Sequence, residues 1–309
     1  MKQFDPNNIN GVIPAMITSF NKDESINKEG IRKTVNYLIS AKVDGLYITG
    51  STGETFLMSQ EEKKQAIEII VEEVNGRVPV IAHIGSIGTK ITTELGQYAE
   101  KIGVDALSAL PPFYYGFSND EIFNYYQDIS NSTNLPITVY NISHAHLMDV
   151  DMLKRLASIK NVKGVKYTAP THFNFSKIKK EIGNSFKIYS GMDEMSLSGL
   201  ISGADGIIGS FYNLMPELFV ALFTNIKQEN INEAKKIQEK INIIILYALS
   251  KSGYPFIKMG LNWLDVDSGY VRKPFTTFVD KEIENIIKKD LKKLTDQNDL
   301  SGIKFLEKL

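Results

Sequence analysis

Lys166 closes the short run Val162-Lys163-Gly164-Val165, where a strand would leave a hydrophobic core. A lysine so placed faces either solvent or the interior. In the interior its ammonium form is disfavoured, its pKa falls, and a free amine becomes available near neutral pH. Such an amine condenses with a ketone, and the resulting iminium draws electrons out of the adjacent carbon–carbon bond. A keto acid would also need a place for its carboxylate. Gly50-Ser51-Thr52-Gly53 offers one, because two glycines let the backbone approach a ligand and successive N–H groups form an anion-binding hollow. The same segment also reads as an ordinary tight turn with Glu54 near the next helix. Tyr140 ends another apolar run and supplies a phenol able to relay a proton. Asp193 and Glu194 are adjacent carboxylates, suited to hold a polyhydroxy ligand or simply to begin a helix.

These residues need elements that bring them together. β-branched runs alternate with longer amphipathic ones along the chain. Strands are predicted at Gly11–Thr18, Gly45–Thr49, Val78–His83, Asp105–Leu110, Ile137–Asn141, Val162–Lys166, Lys187–Ser190 and Gly206–Ile208. Helices are predicted between them, among them Lys28–Ala41, Ile91–Ile102 and Gln60–Val74, the last with Ser59 as N-cap and Glu62 completing a capping box. Eight strand–helix units without a long linker predict an α/β chain folded as a (β/α)8 TIM barrel with additional C-terminal helices. An open doubly wound sheet is the rival, but the glycine-rich nucleotide turn and the phosphate-binding Gly-x-x-x-x-Gly-Lys-Ser/Thr pattern are missing from the sequence. The expected organisation is a barrel over residues 1–225 and a helical extension over 226–309, packed as one unit. Two helical stretches are predicted in the extension, Ile231–Ser250 and Asp280–Leu294. In the second, Ile283, Ile286, Ile287, Leu291 and Leu294 form one stripe, and the residues from Asp296 onward are expected to be mobile. In such barrels catalytic groups lie at the C-terminal strand ends. That rule picks Thr18, Gly50-Ser51-Thr52-Gly53-Glu54, Pro111–Tyr115, Tyr140-Asn141, Lys166-Tyr167-Thr168, Gly191-Met192-Asp193-Glu194 and Gly209-Ser210.

The chain has 309 residues, 43% of them hydrophobic, and its 35 basic and 36 acidic side chains nearly cancel. That balance argues against nucleic acid or an anionic membrane as partner. There is no cysteine, so thiolate chemistry is excluded and a reducing, cytoplasmic setting is expected. The first residues, Met1 to Asp5, lack the apolar stretch of a secretory signal, and the apolar run Ile243–Leu249 is too short to span a bilayer. His83, His144, His146 and His172 show no metal-ligand spacing, although His144 and His146 would share a face if they lay on a strand.

Taken in order, Gly50-Ser51-Thr52-Gly53-Glu54, Tyr140-Asn141-Ile142 and Gly164-Val165-Lys166 resemble the signatures of the dihydrodipicolinate synthase/N-acetylneuraminate lyase family of pyruvate-dependent class I aldolases. The similarity runs from about Gly11 to about Phe278. Pro112-Phe113-Tyr114-Tyr115, Lys166–Pro170, Gly191–Glu194, Gly203–Gly206 and Gly253-Tyr254-Pro255 look like the lyase branch. The resemblance implies that Lys166 forms the imine and Tyr140 shuttles the proton beside it. Ser51 and Thr52 would bind the carboxylate, Ser51 also joining a hydroxyl relay. It further implies that Tyr114 enters a neighbouring subunit's site, in a homotetramer. Thr168, Gly191, Asp193, Glu194, Gly209 and Ser210 would hold a sugar tail, with Tyr254 as an aromatic wall. The implied reaction is reversible cleavage of N-acetylneuraminate to pyruvate and N-acetylmannosamine, with no metal or organic cofactor. Two departures stand out: Ser143 replaces the family's proline after Tyr140-Asn141-Ile142, and the arginine of the synthase branch is missing from that loop. Another pyruvate aldolase, a 2-keto-3-deoxy sugar acid aldolase or a dihydrodipicolinate synthase, stays open beside this reading, as does a non-catalytic ligand-sensing barrel.

Overall fold

The computed structural model describes residues 5, 9–276 and 280–309; Met1 to Phe4 and Phe278 lie outside the described residues. Eight parallel strands run in the order β1-β8-β7-β6-β5-β4-β3-β2. They are β1 (Gly11–Pro14), β2 (Leu46–Ile48), β3 (Val80–His83), β4 (Ala106–Ala109), β5 (Ile137–Ile142), β6 (Val162–Thr168), β7 (Lys187–Ser190) and β8 (Gly206–Gly209). The helices between them are α1 (Lys28–Ser40), α2 (Gln60–Val74), α3 (Thr89–Ile102), α4 (Asn119–Ser132), α5 (Val150–Ala157), α6 (Phe173–Ile182), α7 (Ser196–Ile201) and α8 (Pro216–Lys227). This is the expected (β/α)8 barrel, and every predicted strand is present: β1 to β4 are shorter than expected, β5, β6 and β8 run one or two residues further, and β7 matches.

Hydrophobic residues fill the barrel in two shells. Ile13, Tyr47, Ala106, Tyr189 and Ile208 pack inside the strands. A larger shell, including Val35, Ile67, Leu107, Val139, Val165 and Tyr167, lies between strands and helices. Local signals and packing agree in α2, where Ser59 accepts from Glu62 N and Glu62 reaches back to Ser59 N. Such caps contribute about 1 kcal/mol.

One joint of the barrel differs from the rest. β1 and β8 pair along four residues, whereas β1 and β2 meet through the single bridge Ala15–Tyr47. Met16 N donates to Tyr47 O at 2.8 Å and Asp44 N to Val12 O at 2.9 Å. This is the seam where the sheet closes.

The C-terminal part departs from expectation in two ways. Between α9 (Ile231–Leu249) and α11 (Lys281–Gln297) the chain forms a further helix, α10 (Tyr254–Trp263), where two helical stretches were expected. Pro255 stands in its first turn, where proline is well tolerated because that N–H has no partner within the helix. Nor are the residues after Asp296 loose: Leu300, Ile303, Phe305 and Leu306 are buried against α8, α9 and α10. In the α11 stripe only Ile287 and Leu291 are buried, while Ile283 and Ile286 remain exposed. Among the described residues no helix is long and apolar enough to cross a membrane.

Candidate active site

Lys166 sits in mid-strand rather than at a strand end, because β6 continues to Thr168. Val165 and Tyr167 face the helical shell, so strand alternation turns Lys166 into the barrel. There it is 5% exposed. Tyr140 on β5 and Tyr189 on β7 flank it in register. Its Nζ lies 4.1 Å from the Tyr140 ring centroid and 4.5 Å from that of Tyr47. Burial pulls the ammonium down to about 7, and Asp193 across the pocket only partly restores it. Burial thus favours the free amine, the form that can attack a carbonyl.

The Tyr140 phenol is buried, which raises its pKa, and the neighbouring Ser51 and Thr168 hydroxyls partly offset the rise. Thr168 Oγ1 itself is buried with no hydrogen-bond partner at bonding distance, so a ligand can claim it. Ser51-Thr52-Gly53 forms a single 3-10 turn, closed by Gly53 N to Gly50 O and Glu54 N to Ser51 O, both 3.0 Å. Glycine is required here by space. A Cβ at Gly50 would stand 2.6 Å from the Tyr47 ring, and one at Gly53 would press on Thr18 and the Met16 carbonyl. Thr52 Oγ1 and Ser210 Oγ share a hydrogen bond of 2.7 Å, which joins the second and eighth loops.

Asp193 opens the 3-10 turn Asp193–Met195 that leads into α7, as an acid at a helix start would, but it does more. Its carboxylate reaches across to the next loop and accepts from Phe211 N at 2.7 Å. Burial lifts its carboxyl to about 7, against the pull of that hydrogen bond. Gly209 makes room for it, since a Cβ there would fall 2.0 Å from Asp193 Oδ1. Gly191 does the same for Thr168, at 2.0 Å from Oγ1. Glu194 is exposed on the rim. Gly191, Asp193 and Glu194 line a cavity of about 430 Å³ with Thr168, Ser210, Leu249, Tyr254 and Phe275. Tyr254 starts α10, and its ring meets Phe275 edge-on at 5.7 Å. Its hydroxyl points towards Thr52 and Ser210, and burial pushes its pKa up to about 12.

One expected site residue stays apart. Tyr114 is 84% exposed, at a positive φ of 80°, and its ring packs edge-on against Tyr115. The histidine reading also changes: His144 lies in the 3-10 turn Ser143–Ala145 and His146 follows at φ 68°, so the two share no strand. That turn occupies the place of the missing proline, and Asn141 secures it by bonding both ways to Met148, at 2.8 and 2.9 Å. Among the described residues no group of three or more His, Asp or Glu side chains could hold a metal.

Two participants were not singled out from the sequence. Tyr47 supplies the second ring over Lys166, and strand alternation around the buried Leu46 and Ile48 would have pointed it inward. His83 lies buried between Tyr47, Phe56 and Tyr140, held neutral with its pKa down at about 3, mainly by burial. No spacing in the sequence marks it.

Comparison with known proteins agrees with this arrangement. A model of the dihydrodipicolinate synthetase family matches residues 8–294. The N-acetylneuraminate lyase of Fusobacterium nucleatum is 39% identical over 277 residues, 89% of this chain and 95% of that one. The crystal structure of N-acetylneuraminate lyase from Mycoplasma synoviae superimposes with a TM-score of 0.86 at 35% identity, covering 94% of this chain and 99% of that one. Dihydrodipicolinate synthase from Bacillus anthracis has the same fold at lower identity, 26%, with a TM-score of 0.85 over 91% of this chain and 98% of that one. The chain belongs to the dihydrodipicolinate synthetase family.

Proposed function

We propose that this protein is an N-acetylneuraminate lyase, a class I aldolase that reversibly cleaves the sugar acid to pyruvate and N-acetylmannosamine. The observation that carries the reading is Lys166: a buried amine whose ammonium form burial disfavours, roofed by two aromatic rings, with a phenol on the next strand. A curated lyase 39% identical along most of its length favours this substrate over that of a dihydrodipicolinate synthase.

The open-chain keto acid places its carboxylate on the Ser51-Thr52 turn, where backbone N–H groups and hydroxyls donate to it. The Lys166 amine attacks the ketone carbon, water leaves, and the iminium becomes the electron sink. Tyr140 takes the proton from the hydroxyl beside the scissile bond as that bond breaks and the aldehyde departs. The enamine is then protonated on carbon and hydrolysed, which releases pyruvate and frees Lys166. The iminium does the work of a metal or organic cofactor, so none is required. Thr168, Gly191, Asp193, Glu194, Gly209, Ser210 and Tyr254 hold the polyol tail in series. In the reading adopted here the protein is cytoplasmic and a homotetramer, with Tyr114 of one subunit completing the site of the next.

Borohydride reduction in the presence of N-acetylneuraminate, with pyruvate in a parallel sample, tests the proposal by peptide mass. A pyruvate-sized adduct on Lys166 from both samples is the expected result. An adduct from pyruvate alone would retain the aldolase and reject the substrate, and no adduct from either would reject the mechanism.

A further inference from the structure

Glu54 is the residue of the Gly50–Glu54 segment for which the proposed chemistry has no use. Its side chain is 0% exposed, and it adopts a left-handed backbone at φ 60°. Glu54 N closes the Ser51 turn, so its position sets that of Ser51 and Thr52. Its carboxylate is held from the far end of the chain. Oε1 accepts from Lys258 Nζ at 2.6 Å and Oε2 from Arg272 N at 2.7 Å.

Lys258 lies one turn after Tyr254 on α10. Its three protons are all spent: on Glu54, on Thr18 O at 2.7 Å and on Tyr270 O at 2.7 Å. Phe20 closes the site, with its ring 4.6 Å from Nζ. Thr18 follows β1 and Glu54 follows β2, so this one ammonium ties together the two loops that flank the seam. The sheet there is joined by a single bridge. Elsewhere neighbouring strands hold their loops in place by continuous pairing; at the seam a side chain from α10 does it.

We infer that Glu54 and Lys258 are positioning residues of the active site: they splint the barrel seam and so fix the Ser51-Thr52 turn at the spacing a carboxylate needs. The inference rests on the reading that this turn receives the carboxylate of pyruvate. A buried ion pair is also a common structural feature, and removing one partner of such a pair destabilises a fold strongly, whereas neutralising both can leave stability nearly unchanged. That asymmetry separates the two roles. In the double variant Glu54→Gln/Lys258→Met no buried charge is stranded, but the splint is gone.

The measurement is the pyruvate concentration that half-saturates borohydride trapping on Lys166, taken alongside the KM for N-acetylmannosamine in the condensation direction. The expected result is a rise of about tenfold in half-saturating pyruvate. Full labelling at saturation should persist, and the aldehyde KM should stay within about twofold. If the double variant does not accumulate as folded protein, the charge-preserving Glu54→Asp, which strands no buried charge but shortens the splint by one methylene, should move the same way. Folded variants with wild-type half-saturation would show the pair to be structural only and overturn the inference. Wild-type protein that takes no label from pyruvate would instead overturn the reading beneath it, and the inference with it.

Discussion

Two buried lysines, both held below the usual ammonium range, are treated in opposite ways by this fold. Lys258 is drawn down to about 8 by burial and supported by Glu54, with an acceptor for each of its protons. Lys166 is drawn down to about 7 and lies between two aromatic faces, with Asp193 acting on it only from across the pocket. Burial alone therefore does not make a lysine reactive. What distinguishes Lys166 is that its surroundings leave the lone pair unclaimed. The same surroundings make it a burden on stability, as functional sites often are.

The sharpest way to break the comparison is Lys166→Arg. A guanidinium cannot supply a free amine, so turnover and borohydride trapping should both vanish; residual wild-type turnover would show that the amine is not the nucleophile. Next comes Tyr140→Phe, which keeps the ring over Lys166 but removes the phenol. Trapping with pyruvate should persist while cleavage falls by roughly 10²–10⁴, the range for loss of a general acid–base group. Equal loss of both would assign Tyr140 to imine formation rather than to the proton.

The third test compares stability. Lys258→Met strands Glu54 and should cost about 3–5 kcal/mol in denaturant unfolding. Lys166→Met should change stability in the other direction. Between about pH 7, where the folded lysine titrates, and roughly pH 10, where the unfolded one does, the unfolded chain binds the extra proton. The wild-type penalty is therefore full below pH 7 and fades towards pH 10. The gain in Tm from Lys166→Met should fade over the same window, and the same sign for both variants would erase the distinction drawn here. Smallest is the pH dependence of trapping in the wild type. The rate should fall about tenfold per unit below the Lys166 pKa and level off above it; a break near the ordinary lysine value would mean that burial does not govern this amine.

Much of this was legible in the sequence, for physical reasons that can be named. The strands showed because period-2 apolar runs and turn residues are local, and α2 showed in full because Ser59 and Glu62 cap it. Lys166, Tyr140 and the Ser51-Thr52 turn could be picked because strand ends in a barrel converge on one mouth. Long-range partners were not legible. Nothing near Glu54 announces Lys258, 204 residues away, and nothing near Asp193 announces the Phe211 amide it binds. The buried tail was misjudged because Asp296, Gln297, Asn298 and Asp299 are polar, while the apolar Leu300, Ile303 and Phe305 beyond them find α8, α9 and α10 only in three dimensions.

The seam gives the barrel a mechanical grain. Load applied across any other joint is shared along paired strands, but load that parts β1 from β2 falls on one bridge, the contacts of Asp44 with Val12 and one ammonium. A stave vessel leaks where its last hoop is loosest. In this protein the last hoop is tightened from α10, one residue beyond the Ser51–Gly53 turn, so the C-terminal helices and that turn share a single fastening.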